Sequence, residues 1–139
     1  MPYQTFEILS EAECLRLITP GGVGRIAYES RFGPAVLPVN YKLVDGAVLF
    51  RTTEHGPLDE DLRTGVTGGE YKVAFEIDDI DRAARGGWSV LIQGPAHHLT
   101  EAERELARHA GIDTWIPGEK ELFVRIIPAR ITGRRIGPA

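Results

Sequence analysis

The chain has 139 residues, of which 42% are hydrophobic and 26% are charged, and its formal net charge is -4. This length predicts one domain, residues 1–139, with a single core. The negative balance argues against nucleic acid as a partner, because that binding depends on clustered Lys and Arg. No apolar run approaches the roughly 20 residues of a membrane span. A single cysteine, Cys14, excludes an internal disulfide, and the expected location is cytoplasmic.

The first predicted element is a short helix. Ser10 and Glu13 have the spacing of a capping box, in which Ser10 is the N-cap and Glu13 reaches back to it. Pro20 and the glycines after it end the helix, because proline cannot extend it and glycine suits a reversal. The expected length is about nine to eleven residues.

Extended runs follow, in which apolar and polar residues alternate as in half-buried strands. Asp45-Gly46 joins two of these runs and tolerates the positive φ angles of a tight hairpin turn. The polar stretch 78–87 is predicted to be a connection, and Gly94-Pro95 to mark a bulge or bend. The predicted strands are 23–28, 34–44, 47–52, 71–77, 88–99, 122–127 and 130–136.

Two further helical segments are predicted. One or two turns are compatible with 57–64, and a second capping box at 100–103 opens a helix that ends near Gly111. The order of elements lacks the strand–helix alternation of a doubly wound sheet. The expected fold is mainly β (α+β), a small antiparallel barrel or sandwich of about six strands with two or three short helices.

The end of the second hairpin strand is the clearest candidate site. Arg51-Thr52-Thr53 places a guanidinium and two hydroxyls together, and these donors suit an anion such as a phosphate. A possible helix follows at 57–64, and its first amides would add donors. The alternative is a solvated strand end that contains threonine because threonine favours strands.

Trp88-Ser89 is the second candidate. Two glycines precede it, so the backbone can approach a ligand closely while the indole covers an aromatic ring and Ser89 supplies a hydroxyl. The alternative is that Trp88 is a core or subunit-interface residue, which is the commoner place for tryptophan.

Other motifs point to structure rather than chemistry. His97 and His98 are adjacent in a predicted strand and therefore face opposite sides, so they do not predict a metal site. Cys14 is interpreted as a small core residue on the apolar side of the helix. The acidic residues of 78–81 are interpreted as a solvated loop, since calcium ligand spacing is missing.

Taken in order, several segments resemble the pyridoxamine 5′-phosphate oxidase-like family over nearly the whole chain. The matching segments are 23–27, 34–41, 48–52, 73–78, 87–94 and 131–135. The resemblance implies an FMN-binding split β-barrel, usually a homodimer with two flavins at the subunit interface.

The resemblance also implies roles for residues at the matching positions. Leu37, Pro38, Val39 and Asn40 would line the isoalloxazine edge. Arg51, Thr52 and Thr53 would lie along the ribityl-phosphate. Trp88 and Ser89 would approach the ring from the partner subunit. Relatives often have a lysine where this chain has Pro57, which has neither charge nor backbone donor.

The function implied is that of an FMN-dependent oxidoreductase that transfers electrons, as hydride, to a small organic substrate. No side chain is assigned as a catalytic acid or base. A deazaflavin-dependent reductase is the alternative enzyme, with Arg25, Arg31 and Arg51 as possible contacts to a longer acidic cofactor. Two non-enzymatic possibilities stay open: a protein that binds flavin or haem without turnover, and a barrel that has lost its cofactor.

Overall fold

The computed structural model describes residues 4–52, 71–99 and 122–138, together with residues 102, 103, 105 and 109. In this part of the chain no helix is long and apolar enough to cross a membrane. The helix is α1 (Glu11–Ile18), and the strands are β1 (Gln4–Leu9), β2 (Gly22–Ser30), β3 (Gly33–Val44), β4 (Ala47–Thr52), β5 (Tyr71–Asp81), β6 (Gly86–His98), β7 (Leu122–Ile126) and β8 (Arg130–Pro138).

Six strands form the predicted antiparallel barrel. The strand order is β1-β8-β6-β5-β2-β3-β4-β7, and a further pairing of β6 with β7 closes the ring from β6 to β7. β8 and β1 extend the sheet beyond the barrel, because β8 occupies the edge of β6 at 87–93 and β7 occupies the same edge at 96–98. The predicted mainly β fold with a split barrel is confirmed.

Gly94 lies where β6 changes from one partner strand to the other. A Cβ atom at this position would lie 2.0 Å from the carbonyl oxygen of Ile127, so only glycine permits the close approach. The backbone N–H of Ile127 donates to the carbonyl of Pro95 at 3.1 Å. The bend predicted at Gly94-Pro95 therefore coincides with the split between β8 and β7.

The start of α1 is the predicted one. Ser10 has extended backbone angles, and its Oγ accepts a hydrogen bond from the backbone N–H of Glu13 at 3.2 Å. The Glu13 carboxylate, predicted to reach back to Ser10, accepts instead from Arg16 and Arg135. The helix has 8 residues and is slightly shorter than expected.

The hairpin between β3 and β4 also follows the prediction. Asp45 has φ 51° and Gly46 has φ 77°, the left-handed conformation that this tight turn requires. The pairing of the two strands ends at Tyr41 and Phe50. Among the described strands, only β2 pairs with β3 along 33–40.

Two strands differ from the prediction. β1 was not expected, and it pairs with β8 over its full length. β5 continues to Asp81, where a polar connection from residue 78 was expected, because its acidic end pairs with β6 as far as Gly86. The turn between them is only 82–85. The predicted helical turns at 57–64 lie outside the described residues. Residues 102, 103, 105 and 109 are helical, within the helix predicted to start at the second capping box.

The core fills the barrel from the inward positions of each strand. Phe75 is fully buried, with its ring edge-on to Tyr41 at 5.5 Å between centroids and stacked on Phe50 at 6.0 Å. Cys14 is also fully buried, which confirms its interpretation as a core residue. A side chain as large as Phe75 contributes about 1.5–3 kcal/mol by burial. Because side chains alternate between the two faces of a strand, the residues between these buried ones point outward.

Candidate functional site

The pairing register places polar residues from three strands in one outward-facing row. Asp78 of β5 lies opposite Ser89 of β6, and Ser89 lies opposite Arg134 of β8. Directly opposite residues share a face of the sheet. Their neighbours Ile77 and Val90 are buried in the core, so the row faces away from it. The Nε of Arg134 donates to the Oγ of Ser89 at 3.4 Å.

Arg25 extends this polar surface to the next strands. Arg25 of β2 lies opposite Glu76 of β5 on one side and Pro38 of β3 on the other. Its Nη1 is 3.4 Å from Oε1 of Glu76 and 3.5 Å from Oδ2 of Asp78. All three side chains are partly exposed. One guanidinium therefore faces two carboxylates.

A cleft of about 490 Å³ opens beside this row. Its wall includes Trp88 and Ser89, the carboxylates of Glu76 and Asp78, and the side chain of Arg134. The rest of the lining consists of the apolar side chains of Ile80 and Ile136 together with Arg85, Gly86 and Gly87. The volume lies within the range of about 300–1,000 Å³ that is usual for small-molecule sites.

Gly87 shapes the wall of the cleft next to Trp88. Its φ is 154°, and a Cβ atom would lie 2.3 Å from the carbonyl oxygen of Asp79. Gly87 and Asp79 belong to neighbouring strands that pair with each other. A side chain at position 87 would therefore separate β5 from β6. The glycine before Trp88 thus allows a close approach between strands.

Trp88 lies at the border between core and cleft. The side chain is half-buried, packs against the main core cluster, and also lines the cleft. Trp88 is therefore both a residue packed against the core and part of the cleft wall. Ser89, with the opposite orientation along β6, faces the cleft together with Asp78.

The four residues predicted at the isoalloxazine edge divide between two faces of β3. Leu37 lies on the same face as the buried Ile26 but is itself 36% exposed, whereas Val39 is half-buried and packs against the core. Pro38 and Asn40 occupy the outward positions. Only Pro38 and Asn40 therefore share the face of Arg25 and Glu76.

Arg51 is at the end of β4, half-buried, one position beyond the last β3–β4 pair. Asn40 is the corresponding next position of β3. Arg51 pairs with Phe123 of β7, and Thr52 continues that pairing through its backbone. Thr53 and Pro57 lie outside the described residues.

The predicted site residues thus form two groups in one chain. Pro38, Asn40 and Arg51 lie at β3 and β4, whereas Trp88 and Ser89 lie on β6. β3 and β6 are three strand spacings apart in a closed ring of six, which is about 14 Å measured along the curved sheet. The outward surface of β2 and β5 connects the two groups.

Glu76 has the most unusual protonation equilibrium in the cleft. Burial raises the pKa of its carboxyl to about 7, and the hydrogen bond and negative charge of Asp78 add to the shift, while Arg25 opposes it. A carboxyl group with this pKa is half protonated near neutral pH. Perturbed carboxyl groups in clefts are typical of functional sites.

Sequence reasoning did not single out Glu76 or Arg134, and it assigned Asp78 to a solvated loop. These residues meet Ser89 only through pairing between strands, and Arg134 lies 45 positions from Ser89 in the chain. The one local signal was alternation in β5, where Glu76 and Asp78 occupy the polar positions between apolar ones. That signal predicts that Glu76 and Asp78 share one face of β5, but it does not predict which residues of other strands lie beside them.

Comparison with known proteins leads to the same fold. The sequence profile of the family described as pyridoxamine 5′-phosphate oxidase matches residues 10–135. The Mycobacterium tuberculosis protein Rv0080 is 32% identical over 128 residues, which cover 92% of this chain and 84% of that protein.

Two solved structures have the same fold. The FAD binding protein from Mycobacterium smegmatis is 33% identical, with a TM-score of 0.79 over 94% of this chain and 98% of that one. An FAD-binding protein from Mesorhizobium loti is 24% identical, with a TM-score of 0.74 over 94% and 97% of the two chains. The second likeness concerns the fold alone.

Proposed function

Because the chain belongs to the pyridoxamine 5′-phosphate oxidase-like family, we propose that it binds a flavin and transfers electrons, as hydride, to a small organic substrate. The observation that supports this most is the cleft formed by Trp88 and Ser89 within this fold. The relative from Mycobacterium smegmatis, which is an FAD binding protein by name, supports a flavin as the ligand class. We take FMN as the flavin, because the predicted phosphate contacts at 51–53 require only one phosphate.

The cleft suits a planar aromatic ring. An indole and two isoleucines provide apolar walls, while Ser89 and Arg134 provide hydrogen-bonding groups at one side. Rings of this kind bind in mostly apolar clefts with a few placed polar groups. A bound flavin would supply the hydride chemistry.

The residues of the chain position the ring and keep water from it. Trp88 and Ser89 would contact the ring, Pro38 and Asn40 its edge, and Arg51 the phosphate. Arg51 is half-buried, so a phosphate beside it would be only partly exposed to water. A charged hydrogen bond of this kind contributes about 1.5–3 kcal/mol.

A homodimer is part of the proposal. The two groups of predicted site residues are about 14 Å apart along the curved sheet in one chain, and a second copy would bring Trp88 and Ser89 next to the first copy's Pro38 and Asn40. An apolar patch on the outward face of the extended sheet supports association. We define this outer apolar patch as Phe6, Ile8, Ile80 and Ile136. A cytoplasmic location is likewise proposed, on the single cysteine.

Absorption and fluorescence test the ligand directly. The purified protein should show flavin absorption bands at about 450 nm, or should quench the fluorescence of added FMN or FAD. A haem spectrum would instead favour the non-catalytic haem-binding protein. Turnover of a reduced deazaflavin without FMN binding would favour the deazaflavin enzyme. FMN binding without turnover of any donor and acceptor would favour storage.

Arg51→Ala tests the phosphate contact. The dissociation constant for FMN should rise about tenfold, because a charged partner of the phosphate is lost. Riboflavin, which lacks the phosphate, should bind the variant and the wild type equally. Arg130→Ala is the matched control, since Arg130 is exposed at the start of β8. An unchanged dissociation constant for FMN in Arg51→Ala would contradict the assignment.

A further inference from the structure

The outward surface between the two groups of predicted site residues contains Glu76, for which the proposed function has no role. We infer that Glu76 is a positioning residue that holds a proton at the wall of the cleft and donates a hydrogen bond to an acceptor atom of the bound ring. The ligand class is therefore a ring with a carbonyl or imine edge. The inference rests on the proposed function, because it requires a ring in the cleft.

Among the described residues, two carboxylates at the wall of the cleft share one guanidinium. Glu76 and Asp78 lie two positions apart on β5, so both point outward from the same strand. A single guanidinium, that of Arg25, is 3.4 Å from one carboxylate and 3.5 Å from the other. Two carboxylates that share one cation favour retention of one proton between them.

Two further arginines, Arg85 and Arg134, line the cleft. Arg134 of β8 directs its Nε to the hydroxyl of Ser89 rather than to a carboxylate. Arg85 lies in the turn between β5 and β6 and lines the cleft. In the described part of the chain, the titratable and charged side chains that face Glu76 or line its cleft are Arg25, Asp78, Arg85 and Arg134.

A bound ring would strengthen the hold on the proton in two ways. It would exclude water from the carboxyl group of Glu76, and burial favours the neutral form of a carboxyl. It would also provide an acceptor, and a hydrogen bond from the protonated carboxyl favours that form further. Since the pKa of Glu76 is already raised to about 7, binding at slightly alkaline pH should take up protons from solution.

Calorimetry with riboflavin measures this uptake. Riboflavin has the ring without the phosphate, so the ligand contributes no phosphate titration near neutral pH. Binding is measured at about pH 7.5 in two buffers with different heats of ionisation, and the difference gives the protons taken up. Wild-type protein should take up a clear fraction of one proton. Its dissociation constant should rise by up to tenfold per pH unit above neutrality.

Glu76→Gln should abolish both effects. The amide has the same shape but cannot titrate, so proton uptake should fall to near zero and the dissociation constant should no longer change with pH. Glu7→Gln is the matched control, because Glu7 also pairs with an arginine, Arg135, but does not line the cleft. That control should keep the uptake of the wild type.

Carbon-13 NMR of the Glu76 side chain gives a readout without ligand. In the free protein the carboxyl signal should titrate near neutral pH, and riboflavin should move that titration upward. Riboflavin binding with equal proton uptake in wild type and Glu76→Gln would overturn the inference and leave the proposed function intact. Failure of riboflavin and FMN to bind at any pH would overturn both.

Discussion

Single atoms decide how closely the strands of this barrel approach each other. A Cβ atom at Gly94 would clash with the carbonyl oxygen of Ile127, and a Cβ atom at Gly87 would clash with the carbonyl oxygen of Asp79. Both obstacles are backbone atoms in paired or connecting segments, which cannot rotate away as a side chain can. The split of the barrel and the wall of the cleft therefore each depend on one glycine.

Gly94→Ala should destabilise the protein by about 2–4 kcal/mol, because the added methyl group forces β6 away from the segment after β7. Urea denaturation followed by circular dichroism measures the change. Gly137→Ala is the control, since no atom lies within 4 Å of its Cβ position. Equal unfolding midpoints for the two variants would mean that the close approach at Gly94 is not a constraint.

The sequence predicted site residues where a motif marks them and missed those that pairing assembles. Trp88 and Ser89 were predicted from the two glycines before them, and both line the cleft. Glu76 was not predicted, because its neighbour Arg25 comes from a strand 51 positions away in the sequence, and no local pattern records such a register. Leu37 and Val39 were predicted at the ring edge with Pro38 and Asn40, and alternation along β3 places the two pairs on opposite faces of the strand, with Leu37 exposed on its face.

At the level of elements, α1 is attached to the sheet by charge as well as by packing. Arg135 of β8 donates to Glu13 of α1 at 3.0 Å and to Glu7 of β1 at 3.3 Å. Arg16 holds the other side of the Glu13 carboxylate. Hydrogen bonds from Arg16 and Arg135 lower the pKa of Glu13 from 4.5 to about 2.

The stabilisation from Glu13 should depend on pH. Its carboxyl has a lower pKa in the folded than in the unfolded protein, so the contribution is complete above about pH 4.5 and is lost as the pH falls towards 2. Melting temperatures measured from pH 7 to acid should show that Glu13→Gln is less stable than wild type at neutral pH. The difference should disappear at the acid end.

Glu11→Gln is the control in the same helical turn, because Glu11 is also acidic in the first turn of α1. Its difference from wild type should not follow the titration of Glu13. If the gap between wild type and Glu13→Gln were constant down to pH 2, the ion pairs with Arg16 and Arg135 would not contribute to folding.

Elements with a local signal were predicted well. Ser10 marks the start of α1, and Asp45-Gly46 marks the hairpin, because a cap and a turn depend only on neighbouring residues. β1 has no such signal: its apolar Phe6 and Ile8 are exposed, and its only described partner, β8, is more than 120 positions away. The acidic end of β5 was misread for a related reason, since cross-strand pairing overrides a polar composition.

For the whole molecule, the outer apolar patch is an exposed apolar feature of the extended sheet. Phe6 lies opposite Ile136 on the neighbouring strand, and Ile136 lies opposite Gly87, which in turn lies opposite Ile80. The patch therefore contains side chains of three strands, β1, β8 and β5, which are joined through Gly87 of β6, and it shares Ile80 and Ile136 with the cleft. Contiguous exposed apolar patches are typical of interaction sites.

Phe6→Glu should weaken the proposed dimer. A carboxylate in the patch would have to be desolvated on association, and a loss of about 1.4 kcal/mol or more would raise the dimer dissociation constant at least tenfold. Sedimentation equilibrium measures this constant. Phe32→Glu is the control, because Phe32 is 92% exposed in the turn between β2 and β3, outside the patch. A wild-type protein that is monomeric at all concentrations would refute the dimer.

The edge of β3 that faces away from β2 bears on aggregation. Among the described strands, β2 is the sole partner of β3 along 33–40, and a strand edge without a partner is a template for pairing with another molecule. Pro34 and Pro38 both lie in this stretch, and proline has no N–H to donate to an incoming strand. Two prolines in eight residues interrupt the hydrogen-bonding ladder that a fibril would need, while Pro38 also presents a rigid apolar surface beside Arg25.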